Sequence, residues 1–163
     1  MHDAAPFIRQ AAERFTLTVE MGRFFAASCG LYITTVEDIK TTDGKRYAIV
    51  DGGIHQINYD GLILAPAPPP ITVLGNAGTP NTDWTVFGSL CSRGDVLART
   101  VTLPALKLGD MLCFQQAGAY GVTEGMALFL SRDIPAVVLY SKQSGARQVR
   151  GHLTTHALNT PKD

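Results

Sequence analysis

The sequence has no excess charge of either sign: fourteen Lys and Arg balance fourteen Asp and Glu. That balance removes the basic footprint that draws a protein to nucleic acid or to an anionic membrane surface. No apolar run approaches the roughly 18 residues a membrane helix needs. The opening MHDAAPFIRQ lacks a basic segment followed by an apolar one, so no secretory leader is expected. Cysteine is sparse and unpatterned: Cys29, Cys91 and Cys113 are odd in number and show no CxxC spacing. Reduced thiols in a cytoplasmic protein are the expectation. Of the four histidines, His152 and His156 stand at i and i+4, a spacing that suits a metal on a helix. They lie in a polar, Thr-rich stretch with no Glu between them, so no metal site is expected there. Residues from Lys142 onward are locally basic (Lys142, Arg147, Arg150, Lys162) and read as a solvated stretch.

What is present is globular: 45% hydrophobic against 17% charged. Residues 4–15, AAPFIRQAAERF, place Phe7, Ile8, Ala11, Ala12 and Phe15 at helical spacing with Pro6 in the first turn. LTVE at 17–20 reads as a short strand, and GRFFAASCG as a short helix closed by Gly30 in the C-terminal cap position. From Leu31 the texture becomes β-branched and alternating. LYITTVEDIK, KRYAIVDGG, ITVLG, TDWTVFGSL, DVLARTVTL, MLCFQQ and AVVLYSK read as strands, with TTDGK and LKLGD as turns. APAPPP at 65–70 has no ladder donors and is expected in a loop or edge crossing. The fold expected is mainly β, an antiparallel Greek-key-type β-barrel over 31–150, with a helix–strand–helix unit over 1–30 and a tail over 151–163. A lone strand between two helices has no sheet of its own. It either pairs with the barrel or belongs to a larger α/β unit.

Four segments carry residue types that chemistry uses. VEMGRFFAASCG sets Glu20, Gly22 and Arg23 at a strand–helix junction, where backbone N–H groups and a cation suit an anion. The plainer alternative is a capped helix with a surface ion pair. The glycine pair of YAIVDGGIHQ reads most simply as a turn. In GSLCSRGD, Cys91 is followed by Ser92, Arg93 and Asp95. An arginine beside a thiol favours the thiolate, although an isolated cysteine is more often a buried packing residue. Tyr120, in QQAGAYGVT, sits in a tight turn where its hydroxyl is free to bind a phosphate or a substrate, or its ring to pack on the barrel end.

Taken in order, Glu-x-Gly-Arg, Val-Asp-Gly-Gly, Gly-x-x-Cys-x-x-Gly-Asp and Gly-Ala-Tyr-Gly resemble the C-terminal half of the pyridoxal-phosphate-dependent amino acid decarboxylases. These are the diaminopimelate and ornithine enzymes on the alanine-racemase-like plan. The resemblance runs from about Leu17 to Tyr140. It implies that residues 1–30 are the end of a (β/α)8 barrel and that a lysine elsewhere in that barrel carries pyridoxal 5'-phosphate. No lysine here sits in a matching motif. By the same similarity Glu20 pairs with the pyridine nitrogen, Gly22 and Arg23 face the cofactor phosphate, and Tyr120 lies near phosphate and substrate. Cys91 returns a proton to the α-carbon, reaching into a partner subunit's site, which implies a homodimer.

Several positions depart from the family pattern. Met21 replaces the usual proline. Ser92 stands where an acid often grips the distal amine of a diamino acid, and Arg93 suits an anionic distal group instead. The segment after His55 lacks the Arg-Pro…Tyr pattern of the diaminopimelate enzymes. The expected substrate is therefore an amino acid other than a simple diamino acid, and the isolated chain is expected to be inactive without its lysine-bearing barrel. Three other readings stand beside this one. They are a non-catalytic β-barrel binding or assembly module, an adhesion protein using Arg93-Gly94-Asp95, and a cysteine hydrolase pairing Cys91 with His55.

Overall fold

The computed structural model describes residues 4–58, 70–75 and 81–161. Strand β1, Tyr32–Thr42, buries Tyr32, Thr34 and Val36 and exposes Ile33 and Glu37. That is the period of two which a strand with one covered face requires. Asp43 and Gly44, with φ of 52° and 73°, turn it directly into β2, Lys45–Val50. A two-residue turn with both φ positive matches the twist of the paired strands, so the Asp-Gly signal was informative.

Strands β3 (Ile71–Val73), β4 (Asn81–Phe87), β5 (Val96–Pro104) and β6 (Met111–Phe114) complete a six-stranded sheet in the order β3-β6-β1-β2-β4-β5. The edge strands β3 and β5 also approach one another. The sheet therefore curls into a nearly closed barrel around Val36, Val50, Val86, Leu97, Leu112 and Phe114. Each of these side chains is essentially fully buried, which stabilises the fold by about 1.5–3 kcal/mol apiece before chain entropy is counted.

The barrel is mixed, not purely antiparallel. β2 and β4 run parallel, with Arg46 opposite Trp84 and Ile49 opposite Phe87, while the other ladders are antiparallel. A parallel pair needs a long crossover, which residues 51–80 supply, and side-chain alternation carries no information about strand direction. This correction decides where the loops go. β6 is antiparallel to β1, as β2 is, so β2, β4 and β6 all end at the rim where β1 begins.

The C-terminal part also differs from expectation. β7, Val137–Ser141, lies outside the barrel sheet and forms a separate hairpin with β8, Gly145–Arg150. Arg147 and Arg150, read as part of a solvated stretch, thus lie on a strand. The tail is tied down as well. Thr155 is buried and donates its hydroxyl to the Arg132 carbonyl at 3.0 Å, and Leu153 bridges to Ile134.

At the other end, α1 (Ala5–Ala12) and α2 (Gly22–Ala26) form, the second prolonged by a 3-10 turn over Ala27–Cys29. LTVE is not a strand: residues 16–21 have no ladder partner, and an extended segment without one satisfies none of its backbone groups within a sheet. Gly30 stands at the C-cap of that turn, as expected, with an extended backbone at φ −115°. Its missing side chain serves a close approach: a Cβ there would fall on the backbone of Gly118, and a Cβ on Gly118 would meet the Ala26 carbonyl. His152 and His156 do not share a helix, since His156 opens a 3-10 turn that excludes His152. Residues 65–69 of APAPPP lie outside the described residues, and the Pro70 carbonyl accepts the Gln115 amide at 2.9 Å. Among the described residues no helix is long and apolar enough to cross a membrane.

Candidate functional site

The segment following β2 is the hub of the rim. Asp51 accepts the Thr34 hydroxyl and, at 2.8 Å, the Thr35 amide, which fixes the segment's start to β1. On one side the Ser89 amide donates to the Gly52 carbonyl at 2.7 Å and the Ser89 hydroxyl to the Asp51 carbonyl at 3.0 Å. On the other side the Asn58 amide donates to the Gly121 carbonyl at 2.7 Å, and the Met126 amide to the Ile54 carbonyl at 2.9 Å. Residues 51–58 thereby join the Cys91 loop to the Tyr120 loop.

Asp95 is the clasp of the Cys91 loop. It is 1% exposed and accepts the Ile54 amide at 2.8 Å on one oxygen and the Leu90 amide at 2.7 Å on the other. Gly53 and Gly88 leave room for it, because a Cβ at either would collide with the carboxylate. Gly53 of the Val-Asp-Gly-Gly block is therefore a close-approach position as well as the start of a turn, its carbonyl accepting the Gln56 amide at 2.9 Å. The same burial removes the adhesion reading, since the acid of Arg93-Gly94-Asp95 faces the interior. Cys91 and Arg93 are exposed, and the Ser92 hydroxyl accepts the Gly94 amide at 3.2 Å. Cys91 lines an apolar groove of about 560 Å³ together with Lys40, Tyr47, Ile49 and Phe87.

Gly22, Arg23 and Tyr120 come together. Tyr120 has a φ of 62°, a left-handed conformation uncommon outside glycine, and its ring projects from the turn, 52% exposed. The Arg23 guanidinium carbon lies 4.9 Å from the ring centroid, and its Nη1 donates to the Ala119 carbonyl at 3.4 Å. A Cβ on Gly22 would sit 3.2 Å from the Tyr120 hydroxyl. The Gly30–Gly118 contact locks these two segments together, reinforced by hydrogen bonds from the Ala117 amide to the Gly30 carbonyl and from the Gly118 amide to the Ala27 carbonyl, each 2.9 Å. Glu20 is exposed on the irregular segment before α2 and makes no hydrogen bond or ion pair among the described residues. Cys91 and Tyr120 share the rim through residues 51–58 without touching.

His55 has a different place from the one sequence reasoning gave it. It is 1% exposed, and neither ring nitrogen has a hydrogen-bond partner among the described residues, so no Cys91–His55 pair forms. It lines a small cavity of about 290 Å³ with Gln56, Ser131, Arg132 and Asp133. Burial, then the Arg132 charge, hold its pKa below the usual imidazole value, partly offset by Asp95. Gln56 bridges the cavity wall, accepting the Tyr32 hydroxyl at 2.7 Å and donating to the Asp133 carbonyl at 3.4 Å. Burial pushes the Tyr32 phenol well above its ordinary range. Arg132 lacked any sequence signal: it lies in no recognised block and reaches the rim only through the fold.

The curled sheet thus carries the Cys91 and Tyr120 loops on one rim. The chain belongs to the family of pyridoxal-dependent decarboxylases, whose C-terminal sheet domain matches residues 23–118, more than half the chain. Among its relatives is the 2-[(L-alanin-3-ylcarbamoyl)methyl]-2-hydroxybutanedioate decarboxylase of Staphylococcus aureus, 35% identical over 80% of this chain and 34% of that protein. Another is the diaminopimelate decarboxylase of Deinococcus radiodurans, 36% identical over 77% of this chain and 32% of that one. The crystal structure of Helicobacter pylori diaminopimelate decarboxylase complexed with L-lysine superposes with a TM-score of 0.78 at 27% identity, covering 96% of this chain and 38% of that one. The chain thus spans about a third of the length of the curated relatives it matches.

The cluster at Gly22, Arg23 and Tyr120 fits the phosphate end of pyridoxal phosphate: a guanidinium and a phenol hydroxyl flank a main-chain position free of side chain. No lysine stands in this cluster among the described residues.

Proposed function

We propose that this chain is the C-terminal domain of a pyridoxal-phosphate-dependent amino acid decarboxylase, working with a lysine-bearing (β/α)8 barrel that lies outside these residues. On this reading residues 1–30 are the end of that barrel, 31–150 the sheet domain and 151–163 its tail. When bound, the cofactor supplies the electron sink that accepts the pair left by departing carbon dioxide. Arg23 offers charge and Tyr120 a hydroxyl to the phosphate, with Gly22 leaving room. Glu20, by the family resemblance, holds the proton on the pyridine nitrogen. Cys91 Sγ–H then delivers a proton to the substrate α-carbon, leaving a thiolate that solvent reprotonates. Ser92 and Arg93 contact the substrate's distal part, and a neutral hydroxyl beside a guanidinium suits an anionic group better than an amine.

One observation carries the reading: the parallel pairing of β2 with β4 sets the Cys91 loop on the same rim as Tyr120, Arg23 and Gly22. The Staphylococcus aureus relative, whose named substrate is a hydroxybutanedioate derivative, supports an acid-bearing substrate. An assembly role belongs with the catalytic one. Phe7, Phe15, Phe24 and Phe25, at the N-terminal end, are 58–73% exposed, a surface suited to covering by the barrel or by a second subunit of a homodimer.

The test is product analysis on the enzyme completed with its barrel. Cys91→Ala lowers the ratio of amine to carbonyl product at least about tenfold, because the carbanion is then protonated elsewhere. An unchanged ratio removes Cys91 from the reaction.

A further inference from the structure

We propose that His55 and Arg132 form a carboxylate-binding subsite on the rim, taking one acidic end of a small organic acid. Both nitrogens of the buried His55 imidazole are unpartnered among the described residues, a costly arrangement, and His55 lines the cavity where a partner would sit. A neutral imidazole offers one N–H, and the Arg132 guanidinium offers five in a planar fork. Among the described residues the one hydrogen bond on that fork is Nη2 to Ser89 Oγ at 2.8 Å, which leaves donors for a planar acceptor. A carboxylate is the group both side chains accept, and an ammonium is the group Arg132 repels.

The lip that carries Arg132 is built at conformational cost. Leu130 and Ser131, neither of them glycine, hold left-handed φ values of 56° and 53°. Asn159 Nδ2 donates to Ser131 Oγ at 3.3 Å, and Thr155 Oγ1 to the Arg132 carbonyl, so the tail pins the strained segment in place. The cavity, about 290 Å³, has room for a carboxylate on a short carbon chain. It also adjoins the proposed reaction rim, because Arg132 bonds Ser89, two residues before Cys91. Identifying the bound group as the distal acid of the decarboxylated substrate rests on the decarboxylase reading, whereas carboxylate binding itself does not.

Binding is linked to protons. The charged groups around His55 are Arg132 and Asp133 at the lip and Asp95 from the Cys91 loop. Free, His55 is neutral near pH 7. A carboxylate against its ring favours the imidazolium, so binding takes up a proton and tightens as pH falls.

The experiment is an NMR titration of the full chain with ring-labelled histidine, using glutarate as probe and 1,5-diaminopentane as control, with no pyridoxal phosphate present. Glutarate is expected to raise the His55 pKa and to bind at least about threefold more tightly at pH 6 than at pH 8. Arg132→Met weakens glutarate about tenfold or more. Ser89→Ala, which removes the Ser89 contact and keeps the guanidinium, still binds. His55→Gln abolishes the pH dependence. A His55 titration indifferent to glutarate overturns the assignment, as does an equal response to the diamine or undiminished binding by Arg132→Met. A failed titration leaves the decarboxylase reading standing, and an inactive completed enzyme with an intact titration leaves the subsite standing.

Discussion

Asp95 and Ile54 stand on different loops and are joined by a single hydrogen bond of 2.8 Å from the Ile54 amide to the buried carboxylate. With the second bond to Leu90, this side chain holds the thiol-bearing loop against the hub of the rim. Asp95→Ala leaves two amides without their acceptor and is expected to cost about 2–5 kcal/mol. Urea unfolding measures the loss. Amide exchange at Ile54 and Leu90 locates it, and slow exchange retained at both positions in the variant contradicts the clasp.

Gly30 and Gly118 are a main-chain contact with no slack. Alanine at either position forces backbone apart and is expected to destabilise by about 2 kcal/mol or more. Thermal melts of Gly30→Ala and Gly118→Ala check this, with Gly94→Ala as the exposed control; equal melting temperatures in all three refute it.

His55 makes stability depend on pH in one direction. Its folded pKa lies below the usual value near 6.5, so around and below that value the unfolded chain binds the extra proton. This contribution is intact above pH 6.5 and is lost as pH falls through the lowered folded pKa. Melting temperature therefore drops from pH 7 toward pH 5, and His55→Gln flattens that part of the curve. Parallel curves for the two proteins would remove His55 as the cause.

Arg23 and Tyr120 act on the same bound group. In the completed enzyme Tyr120→Phe and Arg23→Met each weaken pyridoxal phosphate about tenfold, by loss of one hydrogen bond to a charged acceptor. The double variant loses less than the product of the two, because the ring and the guanidinium support each other at 4.9 Å. Equilibrium dialysis gives the three affinities, and strictly multiplicative losses argue against a shared contact.

Much of the barrel was legible locally. The alternation in YITTV, the Asp43-Gly44 turn and the strand runs up to Phe114 each follow from neighbours in sequence. What was not legible was directional or long-range. Nothing in the side chains of β2 and β4 says that they run parallel. Extended-looking Leu17–Glu20 lacked a partner, which periodicity does not reveal. The close approaches of Gly30, Gly52 and Gly53 to Gly118, Tyr32 and Asp95 were not legible, because local sequence does not register groups packed from elsewhere in the chain. Of the candidate site, Glu20, Gly22, Arg23 and Tyr120 are grouped in the sequence only by the family resemblance, and the structure brings Gly22, Arg23 and Tyr120 together without Glu20. His55 was noticed for the wrong partner, and Arg132 went unseen because its role depends on a lip folded back from beyond the barrel.

The contact between residues 30 and 118 has a bearing on how such chains diverge. The two segments recognise each other through bare main chain rather than through matched side chains. A chain rebuilt from two pieces at this seam keeps the seat only when each piece brings its own glycine and the Arg23–Tyr120 pair is retained.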